Sequence, residues 1–269
     1  MISIHQRFNY RKEALELEIG EALTIDGIAG PLRIFQRVNG HRHSIDDAAT
    51  AWYALKTNPS AKEALDLGTG IGSVGIAVLW GLSSTATLVC IEAQQISFSL
   101  LSENIKLNGL EDRITSMHGD LRGLSLSKKF DLITASPPYF RTGTGVLPAD
   151  SQKAYARFEL RGNVADYAEI AKRHLTSDGT FVFCFPYQQK QRCISLVENV
   201  GFGFVTVQDV FPHANKPPLF SLFAARLDYR DCTFHEPPLI VAGPDGRYTE
   251  QMLDIQRIRG FGNLGENSI

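Results

Sequence analysis

The chain has 269 residues, 43% of them hydrophobic and 21% charged, and carries a net charge of -2 at pH 7. That length suits one α/β domain with additions, and the charge excludes a global basic field, so contact with nucleic acid has to use a local patch. The start, MISIHQRFNYRK, lacks the apolar core of a secretory signal, and the most apolar stretch, Ile71–Leu82, is too short and too glycine-rich to span a bilayer.

In chain order, residues 1–43 read as a β-rich extension, with strand-like Ala22–Ile28 and Leu32–Val38 joined by the turn Ala29-Gly30-Pro31. Ser44 can cap a helix over Asp46–Lys56, whose leading acids Asp46 and Asp47 suit the positive end of its dipole. A short apolar strand, Ala64–Leu67, runs into Asp66-Leu67-Gly68-Thr69-Gly70-Ile71-Gly72, and a helix that is apolar nearly all round, Ser73–Trp80, starts at once. Leu88–Ile91 is a strand closed by Glu92. Gln94–Leu107 is an amphipathic helix stopped by Asn108-Gly109, and Arg113–Met117 is a strand leading into His118-Gly119-Asp120-Leu121. Phe130–Thr134 is a strand ending in Ser136-Pro137-Pro138-Tyr139. Arg141–Arg161 shows little periodicity, and a long irregular stretch in a compact domain is usually a lid or a binding loop. Asn163 can cap a helix to His174, Thr180–Phe185 is a buried strand, and Gln188–Val200 is a helix ending at Gly201. Gly203–Val210 and Leu219–Arg226 are strands too closely connected for a crossover helix, hence antiparallel. Residues 228–269 read as an irregular tail with a short helix over Tyr248–Ile258 and a disordered end, GFGNLGENSI. The alternation across 44–227 marks the main domain as α/β, a mostly parallel sheet with helices on both faces.

Two motifs carry chemistry. Gly70-Ile71-Gly72-Ser73-Val74-Gly75 matches G-x-G-x-x-G, with Glu92 about twenty residues on, as in a dinucleotide site. Asp66, however, stands just ahead of the first glycine, where a carboxylate can meet an ammonium group, and a Ser-Pro-Pro-Tyr elbow has no role in hydride transfer. Both features point to S-adenosylmethionine instead. At the elbow, two prolines fix φ and remove two backbone donors. The Ser136 hydroxyl and the carbonyls before the prolines remain as acceptors beside the Tyr139 ring, a set suited to a flat group bearing an NH₂. The competing reading is a Pro-Pro turn followed by a core aromatic. In the segment after it, Arg141, Lys153, Arg157 and Arg161 alternate with Tyr155 and Phe158, which fits either a solvated loop or an RNA contact. Cys90, Cys184, Cys193 and Cys232 form no Cys-x-x-Cys pair, which suits a reduced cytoplasm without a disulfide framework or zinc site. His41, His43, His118, His174, His213 and His235 show no metal spacing; His43, beside Asp46, is placed to line a cofactor entrance.

The run DLGTGIG, Glu92, Asp120 and SPPY, in this order and spacing, resembles the class I S-adenosylmethionine-dependent methyltransferases, and among them the amino-methyltransferases whose fourth strand ends in N-, D- or S-P-P-Y. Over its whole length the chain resembles the bacterial tRNA(Val) adenine-N6 methyltransferases. The likeness includes the D-x-x-x-x-x-W run Asp46–Trp52, Ala156-Arg157-Phe158-Glu159 and Gly246-Arg247-Tyr248-Thr249-Glu250; Ser136 stands where that family has Asn. The resemblance implies a Rossmann-like methyltransferase fold with a C-terminal antiparallel hairpin. It implies methyl transfer from S-adenosylmethionine, leaving S-adenosylhomocysteine, to N6 of adenine in RNA, with tRNA the favoured partner and no metal. Asp66, Gly68 and Gly70 would meet the cofactor's amino-acid end, Glu92 its ribose, and Asp120 and Leu121 its adenine. Ser136, Pro137, Pro138 and Tyr139 would form the catalytic elbow, with Phe140, Arg141 and Arg157 on the substrate side. A target base in a duplex would have to be flipped out to reach it. Three alternatives stay open: a protein-glutamine methyltransferase, a small-molecule N-methyltransferase, and a non-catalytic protein of the same fold that binds RNA or a partner, though a scaffold without activity has no need of both motifs intact.

Overall fold

The structure is a computed structural model and describes residues 2–123 and 125–262. The chain opens not on a strand but on a helix, α1 (Ile4–Ile19), which corrects the β-rich reading of the first residues. Ser3 caps it with Gln6 reaching back, and Gly20 closes it in the left-handed conformation. The expected hairpin follows as β1 (Leu23–Ala29) and β2 (Leu32–Arg37), antiparallel and bulged at its turn end. Next come α2 (Ile45–Thr57), β3 (Glu63–Leu67), α3 (Ser73–Gly81), β4 (Thr87–Glu92), α4 (Gln95–Asn108), β5 (Ile114–His118) and β6 (Phe130–Ala135). The segment after the elbow holds a short helix, α5 (Ser151–Arg157), that its weak periodicity did not reveal. Then follow α6 (Val164–His174), β7 (Leu175–Pro186), α7 (Lys190–Val200), β8 (Phe202–Phe211) and β9 (Phe220–Leu227). The tail is less irregular than its composition suggests. It forms β10 (Phe234–His235), β11 (Leu239–Ile240) and α8 (Glu250–Ile258). The end read as disordered lies mostly outside the described residues; Gly260–Gly262 are described, and the Phe261 N–H donates to the Gln256 carbonyl.

The large sheet runs β5-β4-β3-β6-β7-β9-β8, with β10 and β11 on the outer edge of β8. Strands β3 to β7 pair parallel; β9 pairs antiparallel with both β7 and β8. This is the expected α/β architecture, a mostly parallel sheet with an antiparallel pair at its C-terminal end. Strand periodicity divides the core in two. Val182, Cys184, Leu222 and Ala224 pack on one face with α2, α3 and α4, while Phe181, Phe183, Phe185 and Phe223 pack on the other with α6 and α7. Both faces of the central strands are therefore apolar, which leaves the strand ends as the place for polar groups. Among the described residues no helix is long and apolar enough to cross a membrane.

Candidate active site

Sequential strands leave β3 toward β4 and β5 on one side and resume at β6 on the other. At such a reversal the loops beyond the carboxyl ends of the two central strands diverge and leave a crevice. Here the crevice is a cleft with about 960 Å³ of free space, mouth included. Asp66, Gly68, Gly70, Glu92, Asp120, Leu121, Ser136 and Pro138 all line it. Eight of the residues singled out in the sequence, from four different strand ends, thus share one space.

The glycine loop is held from below. The Asp66 carboxylate, 1% exposed, accepts from Thr69 Oγ1 (2.5 Å), Thr134 Oγ1 (2.7 Å) and the Gly75 N–H (3.1 Å), tying the loop, β6 and the first turn of α3 together. Burial outweighs these donors and pushes the Asp66 pKa up to about 6. Gly70 has φ of 60°, and a Cβ built on it would meet no atom within 4 Å, so its backbone faces open cleft. Glu92, at the end of β4, accepts from the Gly70 N–H (2.8 Å) and the Gln94 N–H (2.6 Å), and burial holds its pKa above the usual carboxylate range. Asp120 is gripped by Arg122 through Nε (2.9 Å) and NH2 (2.6 Å), which holds its pKa low.

At the elbow, the Ser136 hydroxyl makes one contact among the described residues, 3.7 Å to Cys184 Sγ, so its lone pairs are available. Pro137 is buried behind the cleft wall. Tyr139 does not line the cleft. Its ring packs edge-on to Phe185 (5.7 Å between centroids), and its hydroxyl donates to Asp46 Oδ2 (2.8 Å) with Cys184 Sγ 3.1 Å away. Phe140 is 45% exposed and pairs with Phe158 at 5.4 Å, while Arg141 and Arg157 are exposed. These three lie outside the cleft lining, on the outer side of the elbow.

Several lining residues escaped the sequence reading. Asp47, taken as a helix-end acid, faces the cleft, and its pKa is raised by burial and by Asp46 and Asp66 nearby. Ordinary capping chemistry accounted for it fully, since its carboxylate does accept from the Ser44 N–H (2.9 Å), so nothing marked a second role. His41 and Arg42 line the mouth from the hairpin side, beside the anticipated His43. Gln152, 2% exposed, docks α5 on this rim: its Oε1 accepts from Arg37 NH1 and the His41 N–H (both 3.1 Å), and its Nε2 donates to Ser97 Oγ (2.9 Å). Tyr155 and Arg161 complete that wall. Their aromatic–basic alternation was the available signal, and it was equally compatible with a solvated loop.

The cleft suits S-adenosylmethionine on chemical grounds. Buried carboxyls with raised pKa match a cationic ligand, whose charge would favour their ionised forms, and this cofactor carries both a sulfonium and an ammonium group.

Residues 41–207 match the family model described as the methyltransferase small domain. The chain belongs to this family and is an S-adenosylmethionine-dependent methyltransferase. Among curated proteins it is similar to the release factor glutamine methyltransferase of Clostridium botulinum, 29% identical over 154 residues, spanning 54% of each chain. It is also similar to the tRNA1(Val) (adenine(37)-N6)-methyltransferase of Histophilus somni, 24% identical over 193 residues, which covers 71% of this chain and 79% of that one. Among solved structures, a predicted O-methyltransferase of Agrobacterium tumefaciens superposes with a TM-score of 0.63 at 19% identity, over 80% of this chain and 97% of that one. That likeness speaks for the fold.

Proposed function

We propose that this protein transfers a methyl group from S-adenosylmethionine to an exocyclic amine, N6 of adenine in RNA, with tRNA as the favoured substrate. The observation that carries the reading is the meeting of the glycine loop, Glu92 and Asp120 with Ser136, whose hydroxyl keeps free lone pairs, and Pro138 of the elbow in one cleft. The similarity to tRNA1(Val) adenine-N6 methyltransferases over most of their length supports the substrate class.

In this reading the cofactor supplies a methyl group already activated by its sulfonium. Gly68 and Gly70 admit its amino-acid end, Asp66 and Asp47 face its positive charges, Glu92 takes the ribose hydroxyls, and Asp120 with Leu121 takes the adenine. The acceptor amine donates one hydrogen to Ser136 Oγ or its carbonyl and another to the Pro137 carbonyl. That aims the nitrogen lone pair at the methyl carbon and stabilises the charge developing on nitrogen; as the N–C bond forms the S–C bond breaks, S-adenosylhomocysteine leaves, and the nitrogen releases one proton to solvent. Alignment of this kind contributes several kcal/mol, about 7–11 at best. Phe140, exposed beside the elbow, stacks on the base, Tyr139 holds the elbow in shape through Asp46 and Phe185, and Arg141 and Arg157 meet the RNA backbone.

A glutamine side chain presents the same planar NH₂, and the local identity to the release factor enzyme is the higher of the two, so it stands as the second reading. Radiolabelled S-adenosylmethionine offered with bulk tRNA, ribosomal RNA, DNA and protein extract separates them. Label in N6-methyladenosine of tRNA is expected; label confined to protein would replace the first reading by the second.

A further inference from the structure

The segment after the elbow is tied at both ends of the cleft. At its near end the Tyr139 and Phe140 N–H groups donate to the Arg157 carbonyl (3.0 and 2.8 Å), and the Glu159 N–H donates to the Phe140 carbonyl (2.8 Å). Arg192 clamps Glu159 with two bonds (2.7 and 2.9 Å), and Gln189 Nε2 donates to the Tyr139 carbonyl (2.6 Å). Four residues past Arg157, Arg161 lines the cleft. There Arg161 stacks on the Tyr155 ring, its Cζ 4.1 Å from the centroid, and both side chains line the cleft together with Glu92 and Asp120.

Arg161 is incomplete. Its NH1 is buried and has no hydrogen-bond partner among the described residues. A buried donor on a charged group is costly to leave unmade, and this one belongs to a side chain that lines the cleft, where a ligand can bring the acceptor. The acceptor is expected on the β4–β5 side of the cleft, because the Arg161 charge acts on Glu92 and Asp120 at the tips of those strands. The elbow, where a methyl acceptor would enter, lies across β3 on the other side.

We propose that Arg161 is the latch of a cofactor lid: its free NH1 bonds an acceptor atom on the nucleoside half of the cofactor, seating residues 150–161 over the cleft. Arg157–Glu159 already carry the backbone bonds to Tyr139 and Phe140, so the latched segment and the elbow form one connected unit. The inference rests on the cofactor placement given under the proposed function.

The test is titration calorimetry of S-adenosylhomocysteine into the parent chain, Arg161→Met and Arg161→Lys, with hydrogen exchange over residues 141–161. Methionine keeps an unbranched stem over Tyr155 and removes the donors; lysine keeps the charge and loses the planar fork, and it serves if the methionine variant does not fold. The expected result is a dissociation constant raised at least about tenfold by Arg161→Met, a smaller loss in Arg161→Lys, and ligand-induced protection of 150–161 in the parent but not in Arg161→Met. If the parent binds and both variants bind within about twofold of it, the latch is wrong and the cofactor reading survives. If the parent does not bind, the cofactor reading falls and the latch falls with it.

Discussion

Tyr139 is fastened at its hydroxyl. The bond to Asp46 Oδ2 and the edge contact with Phe185 fix the ring as a packed side chain that does not line the cleft, which favours the core reading of this residue over the stacking one. Tyr139→Phe keeps the ring but strips Asp46 of a donor. It is expected to cost about 1 kcal/mol of stability and to lower methyl transfer while leaving cofactor affinity unchanged; parental melting temperature and parental rate together would show the hydroxyl to be idle. Asp66 offers a pH test. Its folded pKa of about 6 lies above the ordinary carboxylate value, so the folded chain keeps a proton that the unfolded chain has lost. Its contribution to stability is therefore full at acid pH and is lost as pH rises from about 4 through 6. Binding of a cation runs the other way, because it prefers the ionised form. Affinity for S-adenosylmethionine is expected to weaken as pH falls from about 8 to 5, and Asp66→Asn to weaken it at the upper end and shrink the dependence. A calorimetric pH series with equal slopes for parent and Asp66→Asn would remove Asp66 from cofactor binding.

The glycine loop is the element where local conformation and ligand access coincide. Gly70 sits at positive φ with open space where a side chain would go. Gly70→Val is expected to cost about 1–2 kcal/mol in backbone strain, visible as a modest fall in melting temperature, and to abolish S-adenosylhomocysteine binding by filling the approach path. Normal affinity in that variant would place the cofactor elsewhere. This loop was legible in the sequence because a strand, three glycines and a helix are strictly local signals, and the same holds for the alternation from β3 to β7. Helix α1 was not legible: only Phe8 and Leu15 are buried along it, so the periodicity is faint, and the Ser3–Gln6 capping box was the signal available. Strand β7 begins at Leu175, five residues before Thr180, because Thr176–Gly179 reads as a turn while Leu175 pairs with Phe130. Helix α5 is short and is docked through Gln152, a contact that depends on Arg37, His41 and Ser97 far away in the chain. Of the site residues drawn from motifs, those at the strand ends from Asp66 to Ser136 and Pro138 line one cleft, while Pro137, Tyr139, Phe140, Arg141 and Arg157 lie outside its lining. Asp47 and Gln152, placed by tertiary docking, had no local pattern to announce them, and the basic–aromatic alternation around Arg161 fitted a solvated loop or an RNA contact as well as a cleft wall.

Across the whole molecule, the N-terminal hairpin, the glycine loop and α4 are joined through one buried amide. Asn104 is fully buried in α4; its Oδ1 accepts from the Phe35 N–H of β2 (2.7 Å), and its Nδ2 donates to the Ile71 carbonyl in the glycine loop (3.0 Å). One turn on, Asn108 pairs both backbone groups of Arg33 (3.0 and 2.7 Å), so β2 lies along α4 by side-chain bonds where a sheet partner would otherwise stand. The far end of the hairpin is held by Arg259, which donates twice to the Ile28 carbonyl (3.1 and 2.7 Å), while the Gly30 N–H donates to the Arg259 carbonyl (2.6 Å). The hairpin in turn places His41 and His43 at the cleft mouth: the His43 N–H donates to Gln36 Oε1 (2.7 Å), and Gln36 Nε2 donates to Asp26 (2.9 Å). Asn104 is thus the point at which the extension and the cofactor loop share support. Asn104→Ala leaves the Phe35 N–H and the Ile71 carbonyl without partners in a buried setting, at about 1–3 kcal/mol for each group. Asn108→Ala strips both backbone groups of Arg33 in the hairpin and a bond to the Asn104 carbonyl within α4, but releases nothing in the glycine loop. The two variants are therefore expected to lower the melting temperature by similar amounts, several degrees each, while Asn104→Ala alone weakens S-adenosylhomocysteine binding, because only it releases Ile71. Equal affinities in the two variants would mean that the loop holds its shape without the hairpin, through Asp66 and its three donors.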